Sequence, residues 1–349
     1  DQTREVDLVD EVIRVRGMDA VPATLPAMHP TRPAGSAPST AGDREALVRR
    51  MRHAASSLGL AEALVFGFTS KKMLAAISAP EPLLLANPLT EELDAMRTSL
   101  LPGLLDAVRR ARRYGVASMR MFSTGSIFLP RPGDLPEERA SFAAVLAGDR
   151  PAYLGRPEPF DVWDATGLAT ALAARLVHAP ADVVQIHDGP RHLHPRGRAE
   201  IRVQNTRIGS LGPLHPDVDD ALDLVGPVMI VELDLDALAA LGAARPAYQP
   251  IPRFPAATRD IALVVKDEIP AGQVLATLRE TARPLGTHVE LFDRFAGGSI
   301  PAGHASLAFH VVYQAPVDKP RTLTDAEVDA AHEKLVAEMQ RRFGASLRG

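Results

Sequence analysis

Cysteine is absent from the 349 residues, which excludes disulfides, zinc-thiolate sites and thiol nucleophiles. A reducing compartment is compatible with that absence and is not required by it. An excess of one charge is also lacking: 39 Lys and Arg stand against 43 Asp and Glu, a net charge of -4. No chain-wide basic field exists of the kind a non-specific nucleic-acid binder carries, so any nucleic-acid contact must be local. No apolar run approaches the ~20 residues of a membrane-crossing helix, and the N-terminus is acidic instead of basic-then-apolar. The expectation is a soluble cytoplasmic protein with no membrane partner. Neither a Gly-x4-Gly-Lys-Ser/Thr phosphate loop nor a Gly-x-Ser-x-Gly elbow occurs.

What is present suffices for two or three domains with ample core. Residues 3–15 read as an amphipathic helix that buries Leu8, Val9, Val12, Ile13 and Val15. The chain begins without an initiating methionine, and 1–20 is expected to close a preceding domain, as in a fragment. Proline and small residues dominate 21–42, an expected connector. A mixed α/β region is expected over 43–250. Its helices include 44–58, with Leu47, Met51, Ala55 and Leu58 on one face, and one started by Pro102 that buries Leu104, Leu105 and Val108. Strands are expected over 63–68, 118–122, 183–187, 200–203 and 228–233, with loops over 129–138 and 148–159.

From 251 to 349 the pattern is more regular. Ile261, Leu263 and Val265 alternate with Ala262, Val264 and Lys266, a period-2 strand. Pro270 opens a helix striped by Val274, Leu275 and Leu278; strands follow over 288–295 and 306–313. Thr324 and Glu327 form a capping box for a last helix buried through Val328, Ala331, Leu335 and Met339. Gly344 ends that helix before a final strand over 345–348. The order βαββαβ is ferredoxin-like, within an α+β protein. This domain carries 12 basic and 12 acidic residues from Arg253 onward, so an RNA-reading surface would have to be a local one.

Several constellations could carry chemistry. Asp7, Asp10 and Glu11 emerge on one helix face, with Asp1 able to join only from a preceding turn. Spacing alone leaves two readings open: a solvated acidic face, or an oxygen-ligand site for a hard cation such as Mg²⁺. His187, His192, His194 and His215 lack helical i, i+4 spacing and read as loop histidines sooner than zinc ligands. Arg109, Arg110, Arg112 and Arg113 could meet phosphates or compensate a helix C-terminus, and Arg196 and Arg198 share that ambiguity. Asp293 and Phe295 lie two apart on a strand and share a face. There an aromatic can stack an unpaired base while a carboxylate accepts from a base edge, or the two can be a buried strand aromatic and a turn cap.

Phe254-Pro255, Arg259-Asp260-Ile261-Ala262, Leu291-Phe292-Asp293, Ile300-Pro301-Ala302-Gly303, Ser306-Leu307-Ala308-Phe309 and Arg321-Thr322-Leu323-Thr324-Asp325 fall in the order of a known domain. Together they resemble the anticodon-binding domain that closes the β subunit of bacterial phenylalanine-tRNA ligase. Upstream, Asn87-Pro88-Leu89-Thr90-Glu91-Glu92-Leu93, Arg97-Thr98-Ser99-Leu100-Leu101-Pro102-Gly103-Leu104-Leu105, His194-Pro195-Arg196, Ile208-Gly209 and Leu214-His215-Pro216 resemble its class II synthetase-like module.

The resemblance implies a non-catalytic module over 43–250 and an anticodon-binding domain over 251–349. It implies an α subunit that binds ATP and phenylalanine, an (αβ)₂ heterotetramer, and tRNA(Phe) as ligand. It also implies Mg²⁺ at Asp1, Asp7, Asp10 and Glu11, completed by the α subunit, and anticodon contacts from Asp293 and Phe295. Asp10 stands where the family commonly has Glu, a shorter arm. Phe295 stands where it has Tyr, which keeps the ring and loses the hydroxyl. Class II enzymes fix the α-phosphate with an Arg-x-Glu strand and a late Gly-x-Gly-x-x-Arg motif. Met119-Arg120-Met121-Phe122 lacks that acid and Gly242-Ala243-Ala244-Arg245 lacks the glycine pair, so this chain is expected not to catalyse by itself. The alternative is a stand-alone truncated paralogue that binds RNA or protein.

Overall fold

The computed structural model describes residues 3–24, 40–224, 226–242, 248, 251–298 and 300–348. Asp1, most of the expected connector (25–39) and 243–247 lie outside the described residues. The chain divides into two compact units, Asp1–Pro246 and Ala247–Gly349.

The first unit runs α1 (Glu5–Arg16), a 3-10 turn (Met18–Ala20), α2 (Thr40–Ser57), β1 (Ala61–Glu62), β2 (Phe68–Thr69), α3 (Lys71–Ala76), β3 (Ala95–Met96) and α4 (Leu101–Arg113). It continues through β4 (Met119–Leu129), β5 (Glu137–Ala147), α5 (Val162–Val177), β6 (Ala181–Gln185), β7 (Ala199–Val203), β8 (Thr206–Pro213), α6 (Pro216–Ala221), β9 (Val228–Asp234) and α7 (Leu235–Leu241). Seven strands form one sheet in the order β1-β4-β5-β9-β8-β7-β6. Only β1 and β4 pair in parallel.

Strand β5 shows why this sheet is covered on both sides. Phe142, Ala144 and Leu146 join a core with Met51 of α2, Leu172 of α5 and Leu238 of α7, while Ala143, Val145 and Ala147 join another with Leu104, Leu105 and Val108 of α4. Each large side chain buried this way contributes about 1.5–3 kcal/mol. Helix α5 starts where Asp161 accepts from the N–H groups of Trp163 and Asp164, and the Asp164 carboxylate accepts in return from the Asp161 N–H at 2.8 Å. That reciprocal cap satisfies N–H groups that have no partner inside the helix.

Two expectations are corrected here. Residues 63–67 are not strand: Arg97 donates to the carbonyls of Val65 (3.1 Å) and Phe66 (3.2 Å), so those groups are unavailable to a ladder. The guanidinium lies over Gly125, where a Cβ would fall 2.3 Å from Arg97 Nη2 and would make it shift. Helix α1 forms but buries nothing: Leu8, Val9 and Val12 are at least half exposed. Among the described residues no element covers its apolar face.

The second unit is β10 (Ala257–Lys266), α8 (Ala271–Thr281), β11 (Gly286–Phe295), β12 (His304–Tyr313), α9 (Asp325–Phe343) and β13 (Ser346–Leu347). Its four strands are ordered β11-β12-β10-β13, all antiparallel. Helices α8 and α9 lie on one side of the sheet, sharing a core of Ile261, Leu263, Val274, Leu278, Leu307, Phe309, Val328, Leu335 and Met339. The Thr324–Glu327 capping box opens α9, a feature worth about 1 kcal/mol. Gly344 closes it at φ 62°, a left-handed conformation that glycine adopts without Cβ strain.

Candidate nucleic-acid interface

Along β12, Ala305, Leu307, Phe309, Val311 and Tyr313 are buried toward the helices. The alternate set, Ser306, Ala308, His310 and Val312, therefore lies on the opposite face. On β11, Val289 pairs with Val311 and Leu291 with Phe309, both on the helix side. Strict alternation would send Asp293 and Phe295 to that side too. Instead the register shifts at Phe292, so Asp293 pairs with Ala308 and Phe295 with Ser306. The extra residue turns both side chains to the open face. Arg294 falls opposite Leu307 on the other side and pairs with Asp267 at 3.0 Å.

Phe295 is 40% exposed. The Arg348 guanidinium stands 4.9 Å from its ring centroid, and a Cβ added at Gly298 would lie 3.5 Å from the ring edge. Further along the same face, His310 Nδ1 lies 2.6 Å from Asp260 Oδ1. Sequence reasoning singled out Asp293 and Phe295 as candidates but not their neighbour Arg348, whose place depends on β13 pairing beside β10. Only the terminal Ser-Leu-Arg after Gly344 hinted at a last strand.

The acidic helix is arranged differently from a metal cage. Asp7 accepts from the backbone N–H of Arg4 (3.0 Å) and from its guanidinium (3.0 Å), and these bonds hold its carboxyl below the usual carboxylate range. Glu11 is paired with Arg14, while Asp10 is exposed and Asp1 is outside the described residues. Among the described residues no three metal-capable side chains come together. Among the described residues, Asp7, Asp10 and Glu11 do not by themselves form a closed magnesium site.

The other constellations resolve toward structure. Arg109 and Arg110 both pair with Asp106 (2.5 and 3.1 Å), and Arg113 pairs with Asp223 (3.5 Å). Arg112 lies near Asp219, whose carboxyl burial pushes up to about 6, with Arg112 opposing the shift. Arg198 donates to the carbonyls of Gly189 and His187. His192 meets Glu232 at 2.8 Å, His194 accepts from the Arg196 N–H, and His215 caps α6. Arg120 donates to the Leu58 carbonyl at 2.6 Å, on the side of the sheet that packs on α2, and is not part of a phosphate cradle. On the opposite side Ser123 and Ser210 are buried, and Glu232 is held by His192 and by Ser99 Oγ at 3.3 Å.

Residues 21–235 match the family model described as the phenylalanyl-tRNA synthetase beta chain CLM domain, and 252–348 match the ferredoxin-fold anticodon binding domain. The chain belongs to the phenylalanine-tRNA ligase β-subunit family. It is 41% identical to the phenylalanine-tRNA ligase beta subunit of Novosphingobium aromaticivorans over 98% of its own length and 43% of the relative's. It is 39% identical to that of Anaeromyxobacter dehalogenans over 100% of its length and, again, 43% of the relative's. This family member thus spans less than half the length of these relatives. A pyrrolysyl-tRNA synthetase structure from Desulfitobacterium hafniense aligns over 56% of this chain and 67% of that one at 13% identity and TM-score 0.42, a likeness too weak to support any argument.

Proposed function

We propose that this chain acts as the C-terminal, non-catalytic part of a phenylalanine-tRNA ligase β subunit, presenting tRNA(Phe) to an α subunit that activates phenylalanine with ATP. One observation carries the RNA part: the register shift at Phe292, which sets Asp293 and Phe295 side by side on a sheet face that neither α8 nor α9 covers. Phe295 offers a plane for an unpaired base and Asp293 an acceptor for a base edge. The first unit is a class II synthetase-like module that braces the α subunit in a cytoplasmic (αβ)₂ assembly. Its silence is supported by the self-contained pairing of Arg120, Glu232, His192 and Ser99. On this reading the acidic helix gains magnesium only in the assembled enzyme. There the α subunit supplies further oxygens, and Arg4 and Arg14 release Asp7 and Glu11. The stand-alone reading has no observation of its own in its favour.

Binding of a tRNA(Phe) transcript and of an anticodon-swapped transcript tests the proposal. Phe295→Ala and Asp293→Ala should each weaken the cognate complex at least tenfold and leave the swapped one within about twofold, since base contacts carry the specificity. Equal losses for both transcripts, or none, would refute base reading by this face.

A further inference from the structure

We infer that the cavity between the 63–76 segment and α4 is a binding site for a small carboxylic acid with an apolar body, its carboxylate met by Arg97. The cavity measures about 630 Å³ and lies wholly within the first unit. That volume falls in the roughly 300–1,000 Å³ range of small-molecule sites. Val65, Phe68, Met73 and Leu93 line it with apolar surface, and Phe66 lines it while remaining 79% exposed. Helix α4 forms another wall, and its Gly103 permits a close approach: a Cβ there would lie 2.6 Å from Val65 Cβ.

Arg97 brings to this cavity a cation that is largely removed from water. Burial pulls its pKa below the usual guanidinium value, and among the described residues no carboxylate pairs with it. Its Nε donates to the Ser126 carbonyl at 2.8 Å, and its Nη1 donates to the carbonyls of Val65 and Phe66 at 3.1 and 3.2 Å. These acceptors are dipoles, not charges, and Nη2 has no acceptor among the described residues. A desolvated cation is costly unless an anion meets it. The carboxylates nearest to hand do not serve. Asp106 lines the cavity but is held by Arg109 and Arg110 at 2.5 and 3.1 Å, and Glu92 lines it from an exposed position where water screens its charge. A ligand carboxylate would gain a charge-assisted bond to the guanidinium while its apolar body took the walls. An amide of the same shape would gain the walls alone.

The test is a ligand-observed NMR titration of the 349-residue chain with 3-phenylpropionate and with its uncharged amide, 3-phenylpropanamide. The acid should bind saturably with a Kd on the order of 1–10 mM, as its few heavy atoms allow, and the amide at least fivefold more weakly. Ala107→Phe, which fills the cavity from half-buried α4 without removing any Arg97 hydrogen bond, should abolish binding while thermal unfolding matches the parent. Arg97→Gln should bring the acid down to the level of the amide. Should that variant fail to fold, Ala107→Phe and the amide still decide. Equal binding of acid and amide, no saturable binding of the acid, or binding that survives Ala107→Phe would overturn the inference. So would a capped Phe-Glu peptide that binds at least tenfold more tightly than the free acid, since the cavity would then belong to a protein segment.

Discussion

The seven-stranded sheet of the first unit and the four-stranded sheet of the second treat their polar side chains in opposite ways. In the first, both faces of β5 are sealed, and Glu232 of β9 is tied to the loop side chains His192 and Ser99. In the second, two helices cover one face, and the other holds Asp293, Phe295, His310 and Arg348 at solvent. A sheet sandwiched between helices has no face left for a ligand; a sheet that α8 and α9 cover on one side only keeps the other available to one. The difference lies in which layers are present and not in the number of charges, since the second unit's charges balance from Arg253 onward.

The largest effect that would sharpen this contrast is a core truncation in the first unit. Phe142→Ala empties a site stacked on Phe122 at 5.7 Å and should cost about 3–5 kcal/mol. A urea titration of the full chain would show it, while the second unit retains its own transition. A loss under about 1 kcal/mol would mean that the β5 core is not packed as described.

Next in size are two single-residue deletions on β11. Removing Arg294 leaves Asp293 opposite Ala308 but brings Phe295 opposite Leu307, on the helix side. Removing Phe292 deletes only the extra residue and keeps both pairings. The first deletion should lower cognate tRNA affinity at least tenfold, the second by no more than about threefold. If the two deletions behaved alike, the register shift would not be what exposes the proposed tRNA-binding face.

The smallest expected effect is a pH dependence of opposite sign in the two units. Burial raises Asp219 to about 6, with Arg112 opposing and Asp220 adding to the shift. The folded first unit therefore binds a proton that the unfolded chain does not, and it gains stability as pH falls through about 6. Burial lowers His332, aided by Arg259 and opposed by Asp329, and its Nδ1 lies 3.0 Å from the Tyr313 hydroxyl. That contribution is full above the ordinary histidine value and is lost as pH falls below it. After screening by solvent each effect should stay within about 1 kcal/mol, roughly 2–4 °C for the larger first unit and roughly 4–8 °C for the smaller second. Hydrogen exchange at pH 7 and 5 would resolve the units. Asp219→Asn should remove the gain and His332→Gln the loss.

How much of this was legible in the sequence differs between the units for physical reasons. The second unit announces itself: Ile261, Leu263 and Val265 alternate because one face is buried, and Thr324, Glu327 and Gly344 mark the ends of α9. Strand β5 gives no such signal. It is buried on both faces and rich in alanine, so its period vanishes into a continuous apolar run. Helix α5 escaped notice within a similar apolar stretch, although Asp161 and Asp164 cap it. The sequence put Asp293 and Phe295 on one face; which face depended on a pairing shift that no local pattern reveals. Arg348 was illegible because its partner comes from the opposite edge of the sheet.

The alanines of β5 have a consequence of their own. Ala140 and Ala144 of β5 share one core with Ala165, Ala169 and Ala173 of α5, so part of the interior at this seam is filled by single methyl groups. Drift toward a larger residue at such a seam would cost about 1–3 kcal/mol unless another shrank in step. Replacements there should therefore arise in matched pairs, one side chain growing as its neighbour recedes.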